Sequence, residues 1–158
     1  MKFGVIGYGS IGRRHVDNLV KNGINEIVLL RKIGKGNIHQ LIEHTNFDSF
    51  LSENLDAVII SNPTYLHGKY LNQIIKNDIN VLVEKPLVAS QKELNSIKEL
   101  IGEYNGVGMT AYNMRFNPCV IETKKILDSK ILGKIHYARF FVGQYLPDWR
   151  PNTNHLKS

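Results

Sequence analysis

The sequence predicts an α/β domain built on a doubly wound parallel sheet. Short apolar runs that lack polar alternation recur along the chain, as strands buried on both faces do. Stretches of helical periodicity stand between most of them. Turn residues punctuate the joins, among them Gly23, Asn62-Pro63 and Gly106.

Each element has its own justification. Residues 2–6 form the first apolar strand. Residues 10–22 read as a helix, with Ile11, Val16, Leu19 and Val20 on one face and Gly23 just past the end. Residues 26–30 are the second strand. Residues 37–44 read as a helix, followed by a short turn over 49–52. The third strand is 57–60, ended by Asn62-Pro63. Residues 65–77 suit a helix with Leu66, Tyr70, Leu71 and Ile74 inward. The fourth strand is 80–83. Ser90-Gln91-Lys92-Glu93 is a capping box that opens a helix to about Tyr104, and 106–110 is a fifth strand.

Past Pro118 the rhythm changes to a helix over 118–129 and a long strand over 135–144. One helix and one strand do not make a domain. The expected division is therefore a nucleotide-binding domain over 1–118 and, over 119–158, the first helix and strand of an incomplete α+β second domain.

Composition narrows the class. The 158 residues are 42% hydrophobic and 22% charged, the balance of a globular chain. No apolar run approaches the ~20 residues that span a bilayer. The opening residues, interrupted by Gly4, Gly7 and Gly9, do not read as a signal peptide. With Cys119 as the single cysteine, no intramolecular disulfide is possible, and a cytoplasmic location is expected. The net charge of +6 suits either ordinary solvated surface or an anionic partner such as a phosphate-bearing cofactor. With no basic run of four and no nucleic-acid motif, neither a nucleic-acid nor a membrane partner is expected.

The chemistry concentrates in three places. Gly7-Tyr8-Gly9-Ser10-Ile11-Gly12 is G-x-G-x-x-G between a predicted strand and a predicted helix. Gly7 permits the tight turn, Gly9 lets a pyrophosphate approach the backbone, and Gly12 lets helix and strand pack closely. That makes the domain Rossmann-type. The unpaired N–H groups of the helix start attract phosphate. S-adenosylmethionine is a rival ligand for such a turn, as is a turn with no ligand at all. Beyond the second strand, an NAD site usually supplies a carboxylate to the adenosine ribose. Here Leu29-Leu30-Arg31-Lys32-Ile33-Gly34-Lys35 supplies none, and Arg31 with Lys32 suits a 2′-phosphate, or else forms a solvated loop. NADP is the expected cofactor, with NAD the alternative. Finally, Glu84-Lys85-Pro86 follows the fourth strand. Lys85 there points into the ligand crevice, Glu84 is placed to set its charge state, and Pro86 is a candidate cis proline.

These motifs, with Ser61-Asn62-Pro63, His67 and Asn113-Met114-Arg115-Phe116-Asn117-Pro118, resemble the Gfo/Idh/MocA oxidoreductase family over residues 1–118. Residues 145–151 are similar to a subset of members among nucleotide-sugar enzymes. The resemblance implies NAD(P) binding and hydride transfer at a sugar, nucleotide-sugar or cyclitol carbon. It implies that Lys85 contacts the nicotinamide ribose and the substrate hydroxyl as the catalytic residue. It places Ser61, Asn62, Pro63 and His67 along the cofactor crevice and Arg115 near the nicotinamide end. A homo-oligomer is also expected, through self-association of the apolar segment 135–144. The family's second-domain acid and base lie further along than residue 158, so residues 1–158 are expected to be the cofactor part of an enzyme. The alternative is a non-catalytic dinucleotide sensor or scaffold.

Other candidates read blandly. His39 and His44 lack the spacing and the acidic partners of a metal site. Trp149 reads as cover for apolar surface, and Cys119 as a buried structural thiol.

Overall fold

The computed structural model describes residues 1–32, 41–143 and 145. They fall into two compact units, Met1–Asn113 and Met114–Ser158.

The first unit is a six-stranded parallel sheet in the order β3-β2-β1-β4-β5-β6. The strands are β1 (Lys2–Ile6), β2 (Glu26–Leu30), β3 (Ile42–His44), β4 (Ala57–Ile60), β5 (Asn80–Val83) and β6 (Gly108–Thr110). The helices are α1 (Ser10–Lys21), α2 (Phe47–Leu51), α3 (His67–Lys76) and α4 (Gln91–Ile101). Central β1 pairs with β2 on one side and β4 on the other, Phe3 standing opposite both Ile27 and Ala57.

Each inner strand is apolar on both faces because both are covered. Along β2, Ile27 and Leu29 join Val5, Val16 and Ile59 in one cluster. Val28 and Leu30 join Ile60, Val83, Leu71, Ile74, Ile97 and Phe50 in the other. Burying both faces is what removes the polar alternation from the sequence.

Three expectations for the first unit need correction. Residues 42–44, read as helix, form β3, while 37–40 lie outside the described residues. The outer edge of β2 carries N–H and C=O groups that need partners, and Val28 to Leu30 find them opposite Ile42 to His44. The turn read at 49–52 is largely helix: Asn46 caps α2, its Oδ1 accepting from the N–H groups of Asp48 (2.8 Å) and Ser49 (3.1 Å). The fifth predicted strand is shorter, beginning at Gly108. By contrast the capping box forms as read. Ser90 Oγ accepts from the Glu93 N–H at 3.3 Å, and Glu93 reaches back to the Ala89 N–H at 3.0 Å.

Elsewhere in the first unit, Glu53 accepts from Lys2 Nζ and from His44 Nε2. The Lys2 hydrogen bond, then that of His44, holds its carboxyl below the usual value against the opposing effect of burial. A carboxyl lowered on folding contributes stability above its unfolded pKa and loses it as pH falls through the folded value. The expected result is that Glu53→Gln flattens the acid limb: between about pH 6 and pH 3 its melting temperature falls less than that of the parent. Parallel falls would remove Glu53 from the acid response.

In the second unit, α5 (Pro118–Asp128) starts with proline in its first turn and is capped by Asn117 Oδ1, which accepts from Cys119 and Val120 N–H groups. Cys119 is exposed, contrary to the buried thiol expected. The strand expected over 135–144 is absent: 135–143 join no ladder, and 144 lies outside the described residues. An extended segment becomes a strand only with a partner, and the described residues of this unit supply none. Most of 145–151, Trp149 included, also lies outside the described residues. Among the described residues no helix is long and apolar enough to cross a membrane.

Candidate active site

The strand order reverses between β1 and β4, and in an open α/β sheet ligands bind at such a switch point, above the strands' carboxyl ends. Backbone bonds carry the ladders past the strands and level the turns there. Gly7 N–H donates to Leu30 O, Ser61 N–H to Ile6 O and Glu84 N–H to Ile60 O, each at 2.9 Å. The turns bearing Gly7, Ser61 and Glu84 thus line one edge.

The glycine turn has the shape its residues require. Gly7 has φ +92°, and a Cβ there would lie 2.8 Å from the Asn62 backbone. Gly12 is buried, and its Cβ would overlap the Gly7 carbonyl oxygen and stand 2.9 Å from Ser61 Oγ. Gly9 is the opposite case: a Cβ there would meet no described atom within 4 Å. It is the N-cap of α1, which carries no side-chain cap. The first N–H groups of α1 have no partner within the helix and stand at the positive end of its dipole.

Polar atoms around the turn are arranged for a ligand. Ser61 Oγ donates to the Ile6 and Gly7 carbonyls, tying β4 to the turn. Asn62 Oδ1 and the Tyr8 hydroxyl are buried and lack a partner among the described residues, which costs free energy unless something supplies one. The guanidinium groups of Arg13 and Arg31 each lie over the Tyr8 ring, 5.5 Å and 5.4 Å from its centroid. A dinucleotide fits these residues: phosphate beside Gly9 and α1, and hydroxyl donors for Asn62.

Other predicted residues stand differently. Lys85 and Pro63 are exposed at the rim, and the Lys85–Pro86 peptide is cis. Ser10 is exposed and Ile11 half-buried at the start of α1. Glu84 does not serve the Lys85 ammonium; its Oε1 accepts from His15 Nε2 at 2.8 Å and its Oε2 from the Lys85 N–H at 3.3 Å. His67 is buried rather than crevice-lining. Its Nδ1 stands 2.9 Å from Pro86 O and its Nε2 2.9 Å from Asn62 O, so both nitrogens are engaged by the two turns. Lys32 is exposed. Arg31, read as half of a carboxylate-free basic pair, meets Glu43 from β3, its Nη1 donating to Oε1 at 3.2 Å. Arg115 belongs to the second unit and is exposed.

Sequence reasoning missed His15 and Glu43. Glu43 sat in a stretch read as helix; had the strand been recognised, its place beside Leu29 would have drawn attention. His15 is 69 residues from its partner, with nothing local to mark it.

The comparisons agree with this geometry. A family model described as "Oxidoreductase family, NAD-binding Rossmann fold" matches residues 1–112. The scyllo-inositol 2-dehydrogenase (NAD(+)) of Bacillus subtilis (strain 168) is 28% identical over 153 residues, covering 90% of this chain and 45% of that protein. The crystal structure of myo-inositol 2-dehydrogenase from Lactobacillus plantarum is 26% identical with a TM-score of 0.74, covering 85% of this chain and 43% of the other. The scyllo-inositol dehydrogenase of Lactobacillus casei, solved with NAD(H) and scyllo-inositol, shares the fold at TM-score 0.76 and 20% identity, over 85% of this chain and 43% of that one. The chain thus spans less than half the length of each.

Proposed function

Because the chain belongs to the Gfo/Idh/MocA oxidoreductase family, we propose that its first unit holds a nicotinamide dinucleotide across the β1–β4 crevice, as the cofactor part of an enzyme that oxidises or reduces a sugar, nucleotide-sugar or cyclitol. The observation that carries this reading is the bare space beside Gly9 in front of the α1 N-terminus. Gly7 to Gly12 would hold the pyrophosphate, with Ser61, Asn62 and Pro63 along the crevice. The bound cofactor supplies the hydride acceptor or donor. Lys85 would hold the nicotinamide ribose and orient the substrate hydroxyl, and Glu84 would fix the Lys85 turn. The inositol dehydrogenases among the similar proteins support the cyclitol part of that substrate class. The test is a titration with NADH followed by nicotinamide fluorescence, beside melting curves with NADH and with S-adenosylmethionine. A melting temperature raised by S-adenosylmethionine alone would overturn the reading.

For cofactor choice, NAD(H) replaces the earlier expectation of NADP(H). What supports it is Glu43, whose carboxylate takes the Arg31 guanidinium and would repel a 2′-phosphate. Wild-type protein is expected to bind NADH more tightly than NADPH. Glu43→Gln should then improve NADPH binding relative to NADH by about 5–30-fold, the worth of about 1–2 kcal/mol. An unchanged ratio in parallel fluorescence titrations would exclude Glu43 as the discriminator.

A further inference from the structure

The His15–Glu84 contact joins two parts of the site that the sequence keeps far apart. His15 lies on α1, the helix whose N-terminus would face the phosphates in the proposed site. Glu84 is the residue after β5, immediately before Lys85. Both side chains are 19% exposed, so their hydrogen bond is largely shielded from water. Glu84 is held at three points: its N–H by Ile60 O, Oε1 by His15, and Oε2 by the Lys85 N–H. An ionised carboxylate only accepts, so His15 Nε2 carries the donated proton. Its remaining oxygen meets the backbone of the very residue that bears the rim ammonium.

We propose that His15 is a positioning residue: through Glu84 it fixes the Lys85 turn relative to the phosphate-binding helix, and so sets how tightly the nicotinamide half of the cofactor is held. This rests on the dinucleotide reading above. Topology divides the labour. The two halves of a dinucleotide lie on either side of the switch point. With β1, β2 and α1 taking adenosine and pyrophosphate, the turn after β5 takes the nicotinamide side. Loss of His15 should therefore act on one half only.

Two probes separate the halves. NADH occupies both, whereas ADP carries the adenosine and the diphosphate without the nicotinamide riboside. His15→Ala is expected to weaken NADH binding roughly 10-fold, the scale of one hydrogen bond to a charged group, while ADP affinity stays within about twofold. His15→Gln, whose side-chain amide also donates, should recover most of the loss. NADH is followed by fluorescence and ADP by calorimetry, with a melting curve for each variant. If His15→Ala does not fold, Glu84→Gln carries the same expectation for both probes. Equal losses for NADH and ADP would overturn the proposal, leaving His15 a support for α1, as would unchanged NADH affinity or failure of His15→Gln to restore binding. If wild-type protein binds ADP but not NADH, or neither, it is the dinucleotide reading that falls, and this proposal with it.

Discussion

Dinucleotide binding is expected to vanish, and the fold to survive, when Gly9 is replaced by valine. Gly9 has φ −78° and ψ −165°, an extended conformation open to any residue. A Cβ there would meet no described atom within 4 Å. A valine can therefore start without a clash at its Cβ, yet its methyl groups take the space in which a pyrophosphate approaches the α1 N–H groups. The expected loss of NADH affinity is over about 100-fold, more than ~2.7 kcal/mol, with a melting temperature close to that of the parent. Near-normal titration of Gly9→Val with NADH would mean that phosphate binds elsewhere.

Gly12→Ala is the complementary case, with the largest expected effect on stability. One methyl group at Gly12 would overlap the Gly7 carbonyl oxygen and press on Ser61 Oγ. The obstacle is backbone, so no side chain can rotate away. Either α1 lifts from the sheet or the turn opens. Overpacking of this kind costs about 1–3 kcal/mol, and a displaced α1 weakens cofactor binding as well. Denaturant midpoints and NADH titrations should fall together. A midpoint equal to that of the parent would show that the turn can shift without cost.

How far the sequence disclosed this arrangement follows from how local the determinants are. The capping box at Ser90 was legible because its partners lie within a few residues, and the glycine turn because its signature is a local spacing of residue types. The inner strands were legible because burial on two faces leaves an unbroken apolar run. β3 was not, since Ile42-Glu43-His44 is three residues long and has no apolar run of its own. Its strand state comes from the open edge of β2, a tertiary cause. The same blindness hid the site's electrostatics. Arg31 and Lys32 read as an unopposed basic pair because Glu43 arrives from another strand. Glu84 read as a partner for Lys85 because they are adjacent, whereas its carboxylate reaches across to His15. The strand expected over 135–144 shows the converse limit: residue types suited to a strand do not make one where no neighbour pairs with them.

His67 carries a consequence for how the crevice meets a ligand. Its ring nitrogens join the turn after β4 to the turn after β5 through Asn62 O and Pro86 O. The conformational entropy of those two turns is surrendered once, when the chain folds, because a buried ring braces both from within the protein. An arriving molecule then finds a surface already in its working shape and spends little of its interaction energy on ordering loops. Such preorganisation favours rapid, rigid-body association over a slow closing motion, and it makes a residue with no free nitrogen for a ligand a contributor to ligand affinity.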